Sequence, residues 1–509
     1  MIKTYGSGNS GRSMAKSIDW WLIAVYALLV IIGIVNIYAS IHSAEAGGFW
    51  DIGSRSGKQL LWWGISLIVG SVILFALPAR IYETLSLPAY LLLLLLLLAV
   101  IFLGQEVNGS NSWFAFGPVK FQPAELSKVT TSLMLAAYMS RVGYSMKNWK
   151  DFLITGLILV IPMILIVASK ETGSALVYVG FVFMLYREGL SGWVIVMGGM
   201  AIILFVLTLV VSPYAAMLFL MSCTFLLIGL HAGKTKLTLL IEIPCVVFLS
   251  FLPMIFRSIE KAVYGIPEEI PEEIQEGIHE ASFHAQMHLP VQPIHILCAI
   301  TAIVTIIFLY KAFRHRSRFT YLALASTLAG IALVFSTEFI FNSVLQDHQR
   351  KRIEVLLNMT EDPAGVGYNV RQSMIAIGSG GFVGKGYLQG TQTTFGFVPE
   401  QSTDFIFCTI GEEWGFLGSA LTVLLFCFLI YRILHDAEQC RESFSRIYGY
   451  CLACCLFMHL AINVGMTIGV MPVIGIPLPF ISYGGSSLLT FSVMLFIFLA
   501  LYRNEKKYF

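Results

Sequence analysis

The stretch LPAYLLLLLLLLAVIFLG, residues 87–104, holds no charged side chain and no alternation of polar and apolar residues. A run of this length matches the roughly 20 apolar residues a helix needs to cross the hydrocarbon core of a bilayer. Similar runs recur along the 509 residues, near 20–41, 59–77, 86–104, 123–139, 151–169, 172–188, 193–211, 214–231, 238–256, 291–313, 321–345, 403–431, 447–470 and 485–502. That makes fourteen expected spans. Composition agrees: 57% of the residues are hydrophobic and only 12% are Asp, Glu, Lys or Arg, against about 25% charged in soluble domains. A soluble enzyme and a disordered scaffold are excluded, and the net charge of +2 gives no field to attract a nucleic acid. Unbroken apolar runs also exclude a β-barrel, whose strands alternate. The expected fold is an all-α polytopic membrane protein.

Lys and Arg set the orientation, because they collect on the inner side. Arg141, Lys147, Lys150, the run from Lys311 to Arg318 and the tail Arg503, Lys506 and Lys507 place both termini inside. Lys3, Arg12 and Lys16 precede a first span too long for a cleaved signal peptide, so that span is expected to be retained. Three segments on the outer side exceed simple turns: the polar run 105–122, the acidic run 257–290, and a long Gly-rich loop over 346–402. The last is basic although it faces outward, and a long loop in so apolar a chain points to function.

Several residues in these segments could carry chemistry. Arg352, Arg371 and Lys385, with the glycines from Gly378 to Gly390, suit phosphate binding through cations and exposed N–H groups, or form a flexible loop with snorkelling charges. Asp404, where that loop enters the membrane behind Glu400, is either a partly desolvated general base or a helix N-cap. Glu125 and Lys128 are three apart and share one helix face. They neutralise each other, or Lys128 faces a cavity. The run MPVIGIPLPFISYGGSS at 471–487 contains Pro472, Pro477 and Pro479 and cannot be regular helix. Its Ser482, Gly484, Gly485, Ser486 and Ser487 offer hydroxyl and N–H groups to a polar head group, or only cap a helix break. Glu412 and Glu413 lie inside a span and call for a polar partner. Cys451, Cys454 and Cys455 read as packed thiols, and His279, His284 and His288 as a solvated face, rather than as metal sites.

Five runs together resemble the SEDS family of RodA and FtsW type membrane glycosyltransferases. They are QPAELSK at 122–128, HQRKRI at 348–353, GYNVRQSMIAIGSGGFVGKG at 367–386, GTQTTFGFVPEQSTDFIF at 390–407 and GIPLPFISYGGSS at 475–487. The GTQ run is more similar to the RodA type. Ser402 stands where many relatives carry His, and Glu171 in KETG stands where relatives carry Asp.

The resemblance implies polymerisation of lipid II into β-1,4-linked glycan strands, with Asp404 as the catalytic base. It implies substrate contacts at Glu125, Lys128, Arg352, Arg371, Gln372, Ser373, Lys385, Glu400, Ser482, Gly484, Gly485 and Ser486. A divalent metal, Mg or Mn, is implied as an aid to pyrophosphate departure, although no dedicated metal site is legible. A class B penicillin-binding protein and other elongation-complex proteins are the implied partners, at the outer face of the bacterial cytoplasmic membrane. The competing functions are a lipid II flippase and a scaffold of the cell-wall machinery. The family fold has ten core helices, so about four of the fourteen are extra. The expected layout is a family core over 1–211, inserted helices with the acidic segment over 212–320, and the rest of the core over 321–509, with the catalytic loop at 346–404.

Overall fold

A computed structural model describes residues 18–42, 48–107, 110–116, 119–233, 235–264, 293–345, 347–357, 359 and 366–506. The heart of the acidic run, with His279, His284 and His288, lies outside the described residues, as does the polar stretch 1–17. The chain divides into two compact units. One is Met1–Ser191 with Arg352–Phe509, and the other is Gly192–Lys351. The expected insertion, 212–320, falls inside the second.

The first unit begins with α1 (Trp20–Ile41), α2 (Arg55–Phe75) and α3 (Arg80–Leu103). Asp19 caps α1 by accepting from the Trp21 N–H at 2.9 Å, and Ser54 caps α2 through the Gly57 N–H at 3.1 Å. The run after α3 is an antiparallel sheet, β1 (Gln105–Val107), β2 (Ser110–Phe116) and β3 (Val119–Phe121), in that order. Gln105 pairs with Trp113, and Phe114 with Phe121. The dipeptides Asn108-Gly109 and Gly117-Pro118 between the strands are of turn-forming type. Next come α4 (Pro123–Met139), started by Pro123 at its first turn, α5 (Trp149–Ala168), α6 (Thr172–Val179) and α7 (Phe181–Arg187).

The second unit contains α8 (Gly192–Val210), α9 (Pro213–His231), α10 (Thr235–Tyr264), α11 (Pro293–His315) and α12 (Arg318–Phe339), the last extended by a π-helical turn at Ile340–Val344. Its own small core gathers Leu204, Met217, Leu220, Leu249, Leu297 and Val334. Helix α13 (Asp347–Leu356) leads back to the first unit, which continues with α14 (Val366–Ser379), α15 (Thr391–Thr394), α16 (Ile406–Gln439), α17 (Ser443–Thr467) and α18 (Gly485–Lys506).

All fourteen expected spans fall on helices, and twelve of these are long and apolar enough to cross a membrane. The protein is a multi-pass membrane protein. The two that fall short are α4, with 17 residues, and the pair α6–α7, divided at Gly180. Helices α17 and α18 are the most enclosed, and polar as well as apolar residues line their buried faces. Cys451 and Cys455 are packed there among apolar side chains.

The segment expected as one long Gly-rich loop is largely ordered helix and turn, and its glycines press against α16. That helix is broken at Gly415, whose φ of 64° and ψ of −159° interrupt the ladder. The broken end is sealed by the Gly-rich run. Lys385 and Gly386 donate their N–H groups to the carbonyls of Glu412 and Glu413, each at 3.0 Å, while the Phe416 N–H donates to Gly381 O at 2.9 Å. A Cβ on Gly384 would stand 2.2 Å from Glu413 O, so only glycine permits this approach. These N–H groups therefore complete the backbone of a membrane helix, which has no water to turn to.

Glu412 fastens the same region. Fully buried, its carboxylate accepts from Lys385 Nζ at 2.6 Å and from the N–H groups of Thr391, Gln392 and Thr393 at 2.8–2.9 Å. Hydrogen bonds to a charged group contribute about 1.5–3 kcal/mol each. Glu412→Gln turns an amide N–H₂ toward some of these donors and is expected to lower stability by at least about 3 kcal/mol. SDS-titrated unfolding in dodecylmaltoside checks this; a midpoint equal to wild type would show that the clamp holds nothing.

Candidate functional site

The site is built on one face of α17. His459, Asn463 and Thr467 are four residues apart in succession, so they line up along the helix. All three are buried, and each fixes a different neighbour.

His459 works at the lower end of this row. Its Nδ1 lies 3.0 Å from Pro477 O and its Nε2 lies 2.9 Å from Lys128 Nζ. Nδ1 therefore carries the proton and donates to the carbonyl, while Nε2 accepts from the ammonium. Lys128 also donates to Glu125 Oε1 at 2.8 Å and lies over the Phe491 ring, 5.1 Å from its centre. Lys128 is completely buried. Glu125 keeps its second oxygen buried and unpartnered. Glu171, which accepts from Ser174, lies in the field of both charges.

Asn463 sits one turn further on. Its side-chain N–H₂ donates to Asp404 O at 2.8 Å and to Ile476 O at 2.7 Å. One amide thus ties the start of α16 to the irregular run between α17 and α18. Gly475 has a φ of 77°, and a Cβ there would stand 3.2 Å from Asp404 Oδ2. The same two segments are joined again where the Tyr483 N–H donates to Ser402 O at 2.8 Å. Arg55, at the start of α2, donates to Ser402 Oγ at 2.6 Å. Gln59 donates to Ser482 O at 3.1 Å and accepts from the Gly484 N–H at 3.3 Å. Thr467, the third member, accepts through its carbonyl from Ser373 Oγ on α14 at 2.9 Å.

Asp404 is partly exposed and lies in the loop just before α16. Burial pushes its carboxyl up to about 6, the neighbouring Glu400 charge adds to the rise, and Arg352 opposes it. Burial in turn lowers Arg352 from its ordinary value, with the charge of Asp404 holding it up. The buried Nε of Arg352 has no hydrogen-bond partner. A carboxylate raised to about 6, in the field of a guanidinium whose Nε has no partner, can accept a proton from one group while an anion settles against the other.

The expected residues thus fall into different settings. Asp404, Glu400 and Arg352 are joined electrostatically, and Glu125 and Lys128 are bound to the same scaffold through His459. Arg371 is exposed and Gln372 half-buried on α14. Ser373 is occupied by Thr467. Lys385 is held by Glu412 and Thr391. Ser482 Oγ accepts from the Leu478 N–H at 2.8 Å. Gly485 lies where a Cβ would meet Trp62 at 2.3 Å, Gly484 is taken by Gln59, and Ser486 is half-buried. Sequence reasoning passed over Arg55, Gln59, His459 and Asn463. A buried His and Asn inside an apolar span were themselves a signal, since polar groups at that depth need partners.

Among the described residues no three His, Cys, Asp or Glu side chains gather to hold an ion, and the only second carboxylate that bears on Asp404 is Glu400.

The fold and the site together define a multi-pass membrane protein with a perturbed carboxylate beside an unspent cation. The family model FTSW_RODA_SPOVE, described as cell cycle protein, matches residues 19–227 and 294–507, and the chain belongs to this family. It is 28% identical over 478 residues to the peptidoglycan glycosyltransferase RodA of Treponema pallidum (strain Nichols), covering 93% of this chain and 94% of the relative. It is 27% identical over 487 residues to the peptidoglycan glycosyltransferase MrdB of Escherichia coli (strain K12), covering 94% and 93%. Among solved structures, a chain from work on the coordination of polymerization and crosslinking by a peptidoglycan synthase complex superposes with a TM-score of 0.58 at 22% identity, covering 96% of this chain and 98% of that one. That likeness supports the fold.

Removing one partner of a buried ion pair costs about 3–5 kcal/mol, because the other charge is left uncompensated. Lys128→Met is expected to lose about that much, whereas Glu125→Gln combined with Lys128→Met loses less than the single change. Thermal unfolding of the purified variants checks this; a double variant less stable than Lys128→Met would contradict mutual neutralisation.

Proposed function

We propose that the chain is a peptidoglycan glycosyltransferase of the RodA type that polymerises lipid II, with Asp404 as its general base. The observation that carries the assignment of the base is the setting of Asp404. Its carboxyl is raised to about 6, so it is ionised at neutral pH yet basic enough to accept a proton in the transition state. Its backbone is fixed by Asn463.

In this reading the 4-hydroxyl of the acceptor sugar attacks the anomeric carbon of the donor. The new C–O bond forms as the bond from that carbon to the pyrophosphate oxygen breaks. The hydroxyl proton passes to Asp404, and the electron pair leaves with the lipid pyrophosphate. Attack opposite the leaving group inverts the anomeric centre and yields the β-1,4 link. Charge develops on the departing pyrophosphate, and a preorganised cation beside it lowers the barrier. Arg352, with its unpartnered Nε, is assigned that role, and the exposed Arg371 guides the anion inward. Lys128 is a positioning residue in this account, since its ammonium is already shared between Glu125 and His459.

The basic residues around 350–385 and the charge bias of the other loops support an active site at the outer face of the cytoplasmic membrane. The product of this reaction is an uncrosslinked strand, so a class B penicillin-binding protein is the partner assigned to crosslink it. Within the expected insertion 212–320, the stretch 228–293 that the family model leaves unmatched is read as the addition to the family core.

Purified protein with its cognate transpeptidase is expected to convert lipid II into glycan strands. Asp404→Asn keeps the shape of the side chain and removes the base. Its rate is expected to fall by at least about 100-fold, the lower end of what general-base catalysis contributes. Gel analysis of labelled strands reads the result. Normal strand formation by Asp404→Asn would remove the base assignment, and no strands from the wild-type complex would remove the enzyme in favour of transport or scaffolding.

A further inference from the structure

The second unit collects cations at one end and gives them no partner. Helix α9 ends at His231 and α10 begins at Thr235, while α11 ends at His315 and α12 begins at Arg318. These ends meet in space. The His231 ring stacks on Phe319, with centres 4.1 Å apart and planes 20° from parallel. Trp193, at the start of α8, packs edge-on against the same Phe319 and donates to Ser326 Oγ at 3.0 Å. Lys236, Lys311, Arg314, Arg316 and Arg318 all lie within about one turn of the four helix ends.

All five side chains are exposed. The segments 228–238 and 311–320 contain no Asp or Glu, and no carboxylate among the described residues pairs with any of the five. The first unit shows the opposite habit. There Arg141 pairs with Asp151, Arg187 with Glu438, Arg432 with Asp19 and Arg446 with Glu188. A basic bias sets orientation wherever the charges fall along inner loops. It does not require them to be drawn together without acids. Like charges placed so repel one another, and an external anion offsets that repulsion.

The surroundings identify the anion. The candidate spans of α9, α10, α11 and α12 have their limits at His231, Thr235, Arg314 and Arg318. The cations therefore stand where the hydrocarbon gives way to lipid phosphates. Beside them Leu230, Leu237, Tyr310 and Phe313 are exposed, Phe313 to 77%. Apolar side chains at that level meet acyl chains, and the stems of Lys and Arg lie along such surface while their charged ends reach the phosphates. A soluble acidic segment would cover the charges and leave these apolar groups bare. His231 and Lys236 also fall in 228–293, which the family model leaves unmatched.

We propose that this end of α9–α12 binds the headgroups of anionic phospholipids, with Arg314, Arg316 and Arg318 donating to phosphate oxygens and Leu237 and Phe313 against the acyl chains. A guanidinium offers paired donors to a phosphate, and basic clusters between membrane helices hold such head groups. A zwitterionic head group brings an ammonium that the cluster repels. This binding is independent of the reaction assigned to Asp404.

The test titrates the full-length protein in dodecylmaltoside with dioleoyl phosphatidylglycerol, and with dioleoyl phosphatidylcholine as the counterpart without net charge. Native mass spectrometry counts bound lipid, and a phosphatidylglycerol with a diazirine near the top of its acyl chain maps the site after irradiation. Phosphatidylglycerol is expected to bind at least about ten-fold tighter than phosphatidylcholine and to label 228–238 and 308–320. The triple variant Arg314→Gln, Arg316→Asn, Arg318→Gln is expected to weaken that binding at least about ten-fold. Its fold is expected to hold, because the three side chains are exposed, Asn accepts the φ of 50° at residue 316, and Ser317, which caps α12 through the Thr320 N–H, is kept. Lys147→Gln with Lys150→Gln removes exposed cations near the start of α5 and is expected to leave the affinity unchanged. Equal affinity for the two lipids, label confined to other segments, or an equal loss in the Lys147 and Lys150 variant overturns the proposal. Displacement of the lipid by an equal concentration of soluble glycerol phosphate, or of a poly-glutamate peptide, also overturns it and assigns the cluster to a soluble phosphate ester or to an acidic protein segment.

Discussion

One row of polar side chains inside an apolar helix sets the geometry of the first unit. His459, Asn463 and Thr467 lie four residues apart on α17; His459 and Asn463 bond through their side chains, and Thr467 through its backbone carbonyl, to segments from elsewhere in the chain. His459 holds Pro477 and Lys128, Asn463 holds Asp404 and Ile476, and Thr467 holds Ser373. A polar group buried in a span is costly unless it is satisfied. The cost of an incorrect arrangement is therefore high, and His459 and Asn463 select one arrangement of α4, the start of α16 and the Pro-rich run. Asp404 inherits its position from this selection rather than from contacts of its own carboxylate.

A second constraint acts from the other side of the loop. The break at Gly415 exposes backbone groups that a continuous helix would have paired, and the run 380–386 supplies their partners. Glu412 then clamps the start of α15 and the Lys385 ammonium. The strong charge of that segment is thus partly consumed within the fold. Lys385 is thus a structural cation, whereas Arg352, whose charge bears on Asp404, keeps an unpartnered Nε.

Much of this was legible in the amino-acid sequence, because it rests on local pattern. Apolar runs located every span, and Pro472, Pro477 and Pro479 announced that 471–484 could not be helix. The i, i+3 spacing of Glu125 and Lys128 allowed the ion pair that forms, one of the two readings the sequence left open. Other features depend on residues far apart in the chain. Lys385 looked like a phosphate ligand until Glu412, 27 residues later, occupied it. The glycines of 380–386 looked like a ligand loop, but their use is close approach to α16. Asn463 and His459 were visible as polar residues in an apolar run, but nothing local says that their partners come from the Pro-rich run, α4 and the loop before α16. Arg55 and Gln59 were missed for the same reason, since their partners lie more than 340 residues away.

The central claim is that Asp404 acts as a base whose readiness is set by burial and by Arg352. The most direct measurement is the pH dependence of kcat/KM for lipid II polymerisation, wild type beside Arg352→Gln. A base must be ionised, so the wild-type rate is expected to rise with pH, with a midpoint near 6, and then level off. Arg352 holds that carboxyl down, so in Arg352→Gln the rising limb moves to higher pH. A wild-type profile that is flat across pH 6, or a limb that stays in place when Arg352 is lost, would contradict the account.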